Sequence, residues 1–161
     1  MRMDLIQPFI NAADAVLAGT LNAPTTIADV SMDEQTYRRK GLAALVSING
    51  DIEGRVIFDL DQPTAARVAA ALAGEPIEGS PEILRDTIFE LANLVIGNAV
   101  TSLNDQGFRF HISPPLEHTH DYGVSGSEDT EALVMCFGTS SGPVFMNIAM
   151  RYNRRRQHES D

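Results

Sequence analysis

The sequence predicts an α+β domain in which one mostly antiparallel sheet is covered on one face by helices, and three observations carry that prediction. Two strand-like runs, Leu42 to Ile48 and Arg55 to Leu60, flank the turn-forming segment NGDIEG. Two more, EALVMCF and PVFMNIAMRY, flank GTSSG near the C-terminus. Between these pairs lie two capped segments of helical period, and a third helical segment opens the chain. With 161 residues there is room for one core of full size, so a single domain is expected.

Taken in order, Asp4 to Leu17 places Ile6, Phe9, Ile10, Ala13, Val16 and Leu17 at helical spacing, with Pro8 in the first turns. Thr20 to Ser31 mixes polar and β-branched residues after the turn-like LNAP and is read as an edge strand. After the first hairpin, Asp61 has the chemistry of an N-cap, Pro63 belongs to a first turn, and Ala65 to Leu72 are good helix formers closed by Gly74. Ser80 followed by Pro81 caps the next helix, which runs unbroken to Leu103. The turn NDQG then leads to Phe108, Phe110 and Ile112, which alternate with Arg109 and His111 as a strand does, until Pro114 and Pro115 stop it. A polar loop, EHTHDYGVSGSED, precedes the final hairpin, and NRRRQHESD reads as a frayed tail.

Composition excludes several functions. The formal charge is −10, and of twelve basic residues only Lys40 is a lysine, so a phosphate backbone would meet a field of its own sign and nucleic-acid binding is not expected. No apolar run is long enough to span a bilayer, and Met1 to Leu21 lacks the pattern of a signal peptide. A single cysteine, Cys136, rules out an internal disulfide and a four-cysteine zinc site. A cytoplasmic protein without a membrane partner is the expectation.

The one strong functional signal lies in SPEILRDTIFELANLVIGNAVTSL, Ser80 to Leu103. At 100° per residue, Asp86, Glu90, Asn93 and Gly97 fall within about 60° of one another on a single stripe. Leu84, Ile88, Leu91, Val95 and Ala99 form the opposite, packing face, and Phe89, Leu94, Ile96 and Val100 widen the apolar part well beyond that face, which leaves the polar stripe a narrow window. A solvated helix face is the plain reading of such a stripe. Two details count against it: Asp86 and Glu90 are like charges at i,i+4, and Asn93 is a mediocre helix former where alanine would do better. A carboxylate and a carboxamide one turn apart are suited to entering a partner's site together, the first taking a cation and the second orienting a water.

The other candidates are weaker. His111, His118 and His120 lack further spaced ligands and read as loop and strand surface, so no metal is expected. Cys136, between Met135 and Phe137, reads as a buried thiol and not a nucleophile. Arg154, Arg155 and Arg156 read as solvated tail charges. No phosphate loop, dinucleotide fingerprint or GxSxG elbow is present.

Asp86-x3-Glu90-x2-Asn93, followed by Pro115 after 21 further residues, resembles the signature of the CheX branch of the CheC/CheX/FliY phosphatase family of bacterial chemotaxis. ELANLVIGNA, NGDIEGRVIF and GPVFMNIAM are similar to that family as well, so the likeness spans most of the chain. The first helix offers no second Glu-x2-Asn, which leaves one catalytic helix as in CheX, and no room remains for the additional switch domain of FliY.

The resemblance implies a CheX-like fold over residues 1–150, with 151–161 as tail, and hydrolysis of the aspartyl phosphate on a response-regulator receiver such as CheY. By carry-over, Asn93 would orient the attacking water and Glu90 would pair with the receiver's lysine, while Asp86 and Gly97 would serve docking. No cofactor of its own is expected, and Mg2+ would belong to the receiver. A homodimer formed through sheet edges near the C-terminal half is implied. A receiver-binding module without catalysis and a purely structural dimer are the alternatives.

Overall fold

The computed structural model describes residues 3–33, 40–76, 80–117 and 132–153. Helix α1 spans Met3–Leu21, α2 Gln62–Ala73 and α3 Pro81–Asp105. The strands are β1 Thr26–Asp33, β2 Leu42–Gly50, β3 Ile52–Leu60, β4 Phe110–Ile112, β5 Leu116–Glu117, β6 Ala132–Thr139 and β7 Gly142–Tyr152. They form one seven-stranded sheet in the order β1-β6-β7-β3-β2-β4, with β5 also paired to β2. Every pairing is antiparallel, which bears out the α+β class.

Local chemistry accounts for most of the boundaries. Asp61 accepts a hydrogen bond from the Thr64 N–H at 2.8 Å and so caps α2, and Gly74, at φ 75°, ends that helix in the left-handed conformation that glycine adopts freely. Pro8 lies inside α1, five residues past its start, so its ring removes one backbone N–H from the helical ladder near the N-terminal end.

The first hairpin is tighter than the sequence reading of NGDIEG. β2 continues through Gly50 and β3 starts at Ile52, so Asp51 alone joins them. Ile52 is fully buried, which draws it out of the turn and into the core. Gly54 therefore serves packing and not the turn: a Cβ there would stand 1.9 Å from the Ala149 carbonyl oxygen, so only glycine lets β3 and β7 approach this closely. Asp51 also tethers the segment ahead of β4, its carboxylate accepting from the Arg109 N–H at 2.8 Å and its own N–H donating to the Arg109 carbonyl at 2.8 Å. Two residues past Ile112, the Pro114–Pro115 stop is followed by the short β5, which the sequence reading lacked. β7 runs to Tyr152, the end of the run PVFMNIAMRY, where Ile52 and Glu53 pair with Tyr152 and Arg151. His118, His120 and Arg154 to Arg156 lie outside the described residues.

All three helices share one apolar cluster with one face of the sheet. Leu5, Phe9 and Leu17 of α1, Val68 of α2 and Leu91 and Val95 of α3 join Val56, Phe58, Phe137 and Ile148 in it. Each such side chain, fully buried, contributes about 1.5 to 3 kcal/mol. α3 lies against β2 and β3, with α1 and α2 beside it. The opposite sheet face carries a smaller group, Ala43 and Ile57 with Leu45 and Val134, and next to it the Arg55 guanidinium donates to the Asn147 side-chain oxygen. Among the described residues, no helix is long and apolar enough to cross a membrane.

Candidate active site

The candidate site is one face of α3, and the way the helix is anchored explains why that face is rigid. Ser80 accepts from the Ile83 N–H at 3.3 Å, Pro81 occupies the first turn, and Glu82 stands at the positive end of the helix dipole. Leu84, Ile88, Leu91, Val95 and Ala99 are each no more than 1% exposed, so the packing face is the one the periodicity indicated. At the far end the Phe108 N–H returns to the Leu103 carbonyl at 3.2 Å and turns the chain toward β4. Twenty-five residues of helix are thus held at both ends and along one side.

Asp86, Glu90, Asn93 and Gly97 are all exposed, on the side of α3 away from the core. The structure thereby brings together the four residues that the sequence reading grouped. Asp86 is the most open of the acids described in ion pairs, with a side chain 72% exposed, and its 3.8 Å approach to the Arg85 guanidinium is a surface contact of little energetic weight. The side chains of Glu90 and Asn93 have no hydrogen-bond or ion-pair partner among the described residues.

That lack of partners separates Glu90 from the structural carboxylates of this chain. Asp51 and Asp61 accept backbone N–H groups at turns, and Asp59, fully buried, accepts from the Gly41 N–H at 2.9 Å. Their charges serve the fold. Glu90 and Asn93 leave a full set of donors and acceptors to solvent, or to whatever docks there.

One apolar neighbour departs from expectation. Leu94 and Ile96 both widen the apolar part of the helix beyond the packing face, yet Leu94 is 39% exposed and Ile96 3%. Helical period sets both on the flanks of the packing face, about 100° from its centre, and the neighbouring layers cover Ile96 while leaving Leu94 open beside Glu90. Leu94 is thus a candidate contact residue beside the polar stripe.

The remaining candidates resolve as follows. His111 is exposed on β4, and no group of three or more His, Cys, Asp or Glu side chains poised for a metal occurs among the described residues. Cys136 is a free, buried thiol, as the sequence reading expected. Pro115 is half-buried in the segment after β4, which is pinned to β2 by the Ser113 N–H on the Ser47 carbonyl and the Ser47 N–H on the Ser113 hydroxyl, both at 2.9 Å.

Comparison with known proteins agrees with the fold. The family model described as chemotaxis phosphatase CheX matches residues 42–138, a span that includes the first hairpin and all of α3. A CheC-like superfamily protein from Shewanella sp. PV-4 superposes with a TM-score of 0.80 at 21% identity, covering 94% of this chain and 99% of that one. The chemotaxis protein CheX from Desulfovibrio desulfuricans gives a TM-score of 0.77 at 19% identity, covering 92% and 99%. The chain is also similar to CheX in a CheX–CheY–BeF3–Mg2+ complex from Borrelia burgdorferi, with 32% identity, a TM-score of 0.71 and coverage of 93% and 99%. No curated protein sequence matches it.

Proposed function

Since the chain belongs to the CheX family of chemotaxis phosphatases, we propose that it hydrolyses the aspartyl phosphate of a CheY-like response-regulator receiver, using Glu90 and Asn93 of α3. The observation that carries this reading is the pair of exposed side chains Glu90 and Asn93, without a partner among the described residues, on a helix otherwise anchored in the core. The Borrelia relative, solved together with CheY, BeF3 and Mg2+, supports a receiver as the partner.

In this mechanism α3 docks over the receiver's phosphorylated aspartate. The Glu90 carboxylate pairs with the receiver's lysine and sets the register of the two surfaces. One turn on, the Asn93 carboxamide holds a water by its paired donor and acceptor, in line with the phosphorus. Water oxygen bonds to phosphorus as the bond to the aspartyl oxygen breaks, releasing the receiver's carboxylate and inorganic phosphate, with both water protons retained on the phosphate. Mg2+, bound in the receiver, neutralises the phosphoryl oxygens. The rate comes from positioning and electrostatics, so this chain needs no cofactor of its own. Asp86, a turn before Glu90, adds negative charge to the docking surface, and Gly97 keeps that surface low. A homodimer is part of the same reading; β1 on one side and β4 with β5 on the other are the edges at which strands remain open to pairing.

The test is the lifetime of a phosphorylated CheY-like receiver with and without the full chain. The proposal expects catalytic amounts to shorten it. A receiver that binds the chain while keeping its phosphoryl lifetime would instead identify a docking module without catalysis.

A further inference from the structure

Leu94 and Gly97 are neighbours at i,i+3 on α3, both exposed, and both interleaved with Glu90 and Asn93. Neither is explained by this chain's own packing. Leu94 leaves 39% of its surface to solvent beside a stripe of polar groups. Gly97 is stranger. A Cβ at that position would meet nothing within 4 Å, so alanine fits, yet glycine inside a helix is the weaker choice. The exposed backbone it leaves is partly ordered, since the Thr101 hydroxyl donates to the Gly97 carbonyl at 3.2 Å.

We infer that Leu94 is the apolar anchor of the receiver-docking surface and that Gly97 is the clearance beside it, through which the partner's backbone approaches α3. The inference rests on the function proposed above and extends it from the two chemical residues to the contacts that determine affinity. Glu90, Asn93, Leu94 and Gly97 occupy two successive turns, with Leu94 on the flank of the polar stripe, so one surface offers a partner both apolar and polar contacts. The occupant is a receiver and not a second copy of this chain. A symmetric pairing of two α3 helices across this face would set the Asp86 and Glu90 carboxylates of one copy against those of the other, in a chain already carrying a formal charge of −10. A partner presenting a lysine beside a phosphorylated aspartate has the complementary charge.

Both residues act on docking and not on the chemical step, so they separate KM from kcat. With the full-length chain and a phosphorylated CheY-like receiver, Leu94→Ser is expected to raise KM about tenfold while kcat stays within about twofold, and Leu94→Met is expected to restore most of the wild-type KM. Gly97→Ala is expected to raise KM at least about threefold while the melting temperature rises by about 1 to 3 °C, because the helix gains propensity as the surface loses clearance. Unchanged KM in Leu94→Ser and Gly97→Ala, or a fall in kcat in place of a rise in KM, overturns the inference. If the wild type does not shorten the phosphoryl lifetime, the proposed reaction fails by itself; titration of the receiver loaded with BeF3 and Mg2+ then decides the docking surface, which stands if the wild type binds and Leu94→Ser weakens binding about tenfold. No binding by the wild type overturns both.

Discussion

Glu90 and Asn93 bracket two of the best-buried positions of α3: Leu91 is 1% exposed and Ala92 is fully buried, while the residues on either side of them face solvent. The proposed register and water-orienting groups are therefore tied, through two adjacent backbone positions, to the core formed by the helices and the sheet. A pair so held retains its spacing when a partner docks, and little conformational entropy is lost in presenting it.

Asn93→Ala removes the only carboxamide on the stripe next to Glu90 without touching the core. Turnover of a phosphorylated receiver should fall at least about a hundredfold, the scale seen when a positioned polar group is lost from a transition state. The fold should be unharmed or slightly stabilised, since alanine is the better helix former. Thermal unfolding by circular dichroism separates the two effects, and a variant that keeps full activity would remove Asn93 from the mechanism.

Glu90→Gln keeps the shape of the side chain and deletes its charge. KM for the receiver should rise about tenfold, and the salt dependence of KM should become shallower than in the wild type, because screening has one fewer attraction to act on. The steady-state rates over a sodium chloride series would show it. An identical salt dependence in the two proteins would mean that Glu90 pairs with no cation.

Leu91→Ala opens a cavity between α3 and the layers beneath it. Replacement of a leucine buried to this extent should cost about 2 to 5 kcal/mol. The melting temperature should drop by several degrees or more, in contrast with Leu94→Ala, where the partly exposed side chain should change it little. Equal losses at Leu91 and Leu94 would contradict the burial difference between them.

Sedimentation equilibrium should return twice the 17.5 kDa chain mass if the homodimer expected of this family forms. A monomer at micromolar concentration would count against it, and would leave the open edges of β1 and β4 unpaired.

Much of the fold was legible because its signals are local. Asp61 and Gly74 bound α2 through caps that involve a few consecutive residues, Ser80 and Pro81 start α3 in the same way, and the apolar runs in EALVMCF and PVFMNIAMRY, split by GTSSG, mark β6 and β7. The tight turn at Asp51 was less legible, since it depends on Ile52 being drawn into a core that the local sequence does not contain. β5 was missed because two residues carry no period.

The sequence by itself determined the three helices with their caps, the hairpins, and the alignment of Asp86, Glu90, Asn93 and Gly97, because each follows from backbone geometry within a few turns or a single strand. Only the tertiary structure decided the strand order, which joins residues as distant as Ile52 and Tyr152. It alone decided that Gly54 is a contact and Gly97 is not, since one faces the Ala149 carbonyl and the other faces open space. It also divided Leu94 from Ile96 on a helix apolar over most of its circumference, where periodicity ranks the faces but the neighbouring layers determine which apolar side chains they cover.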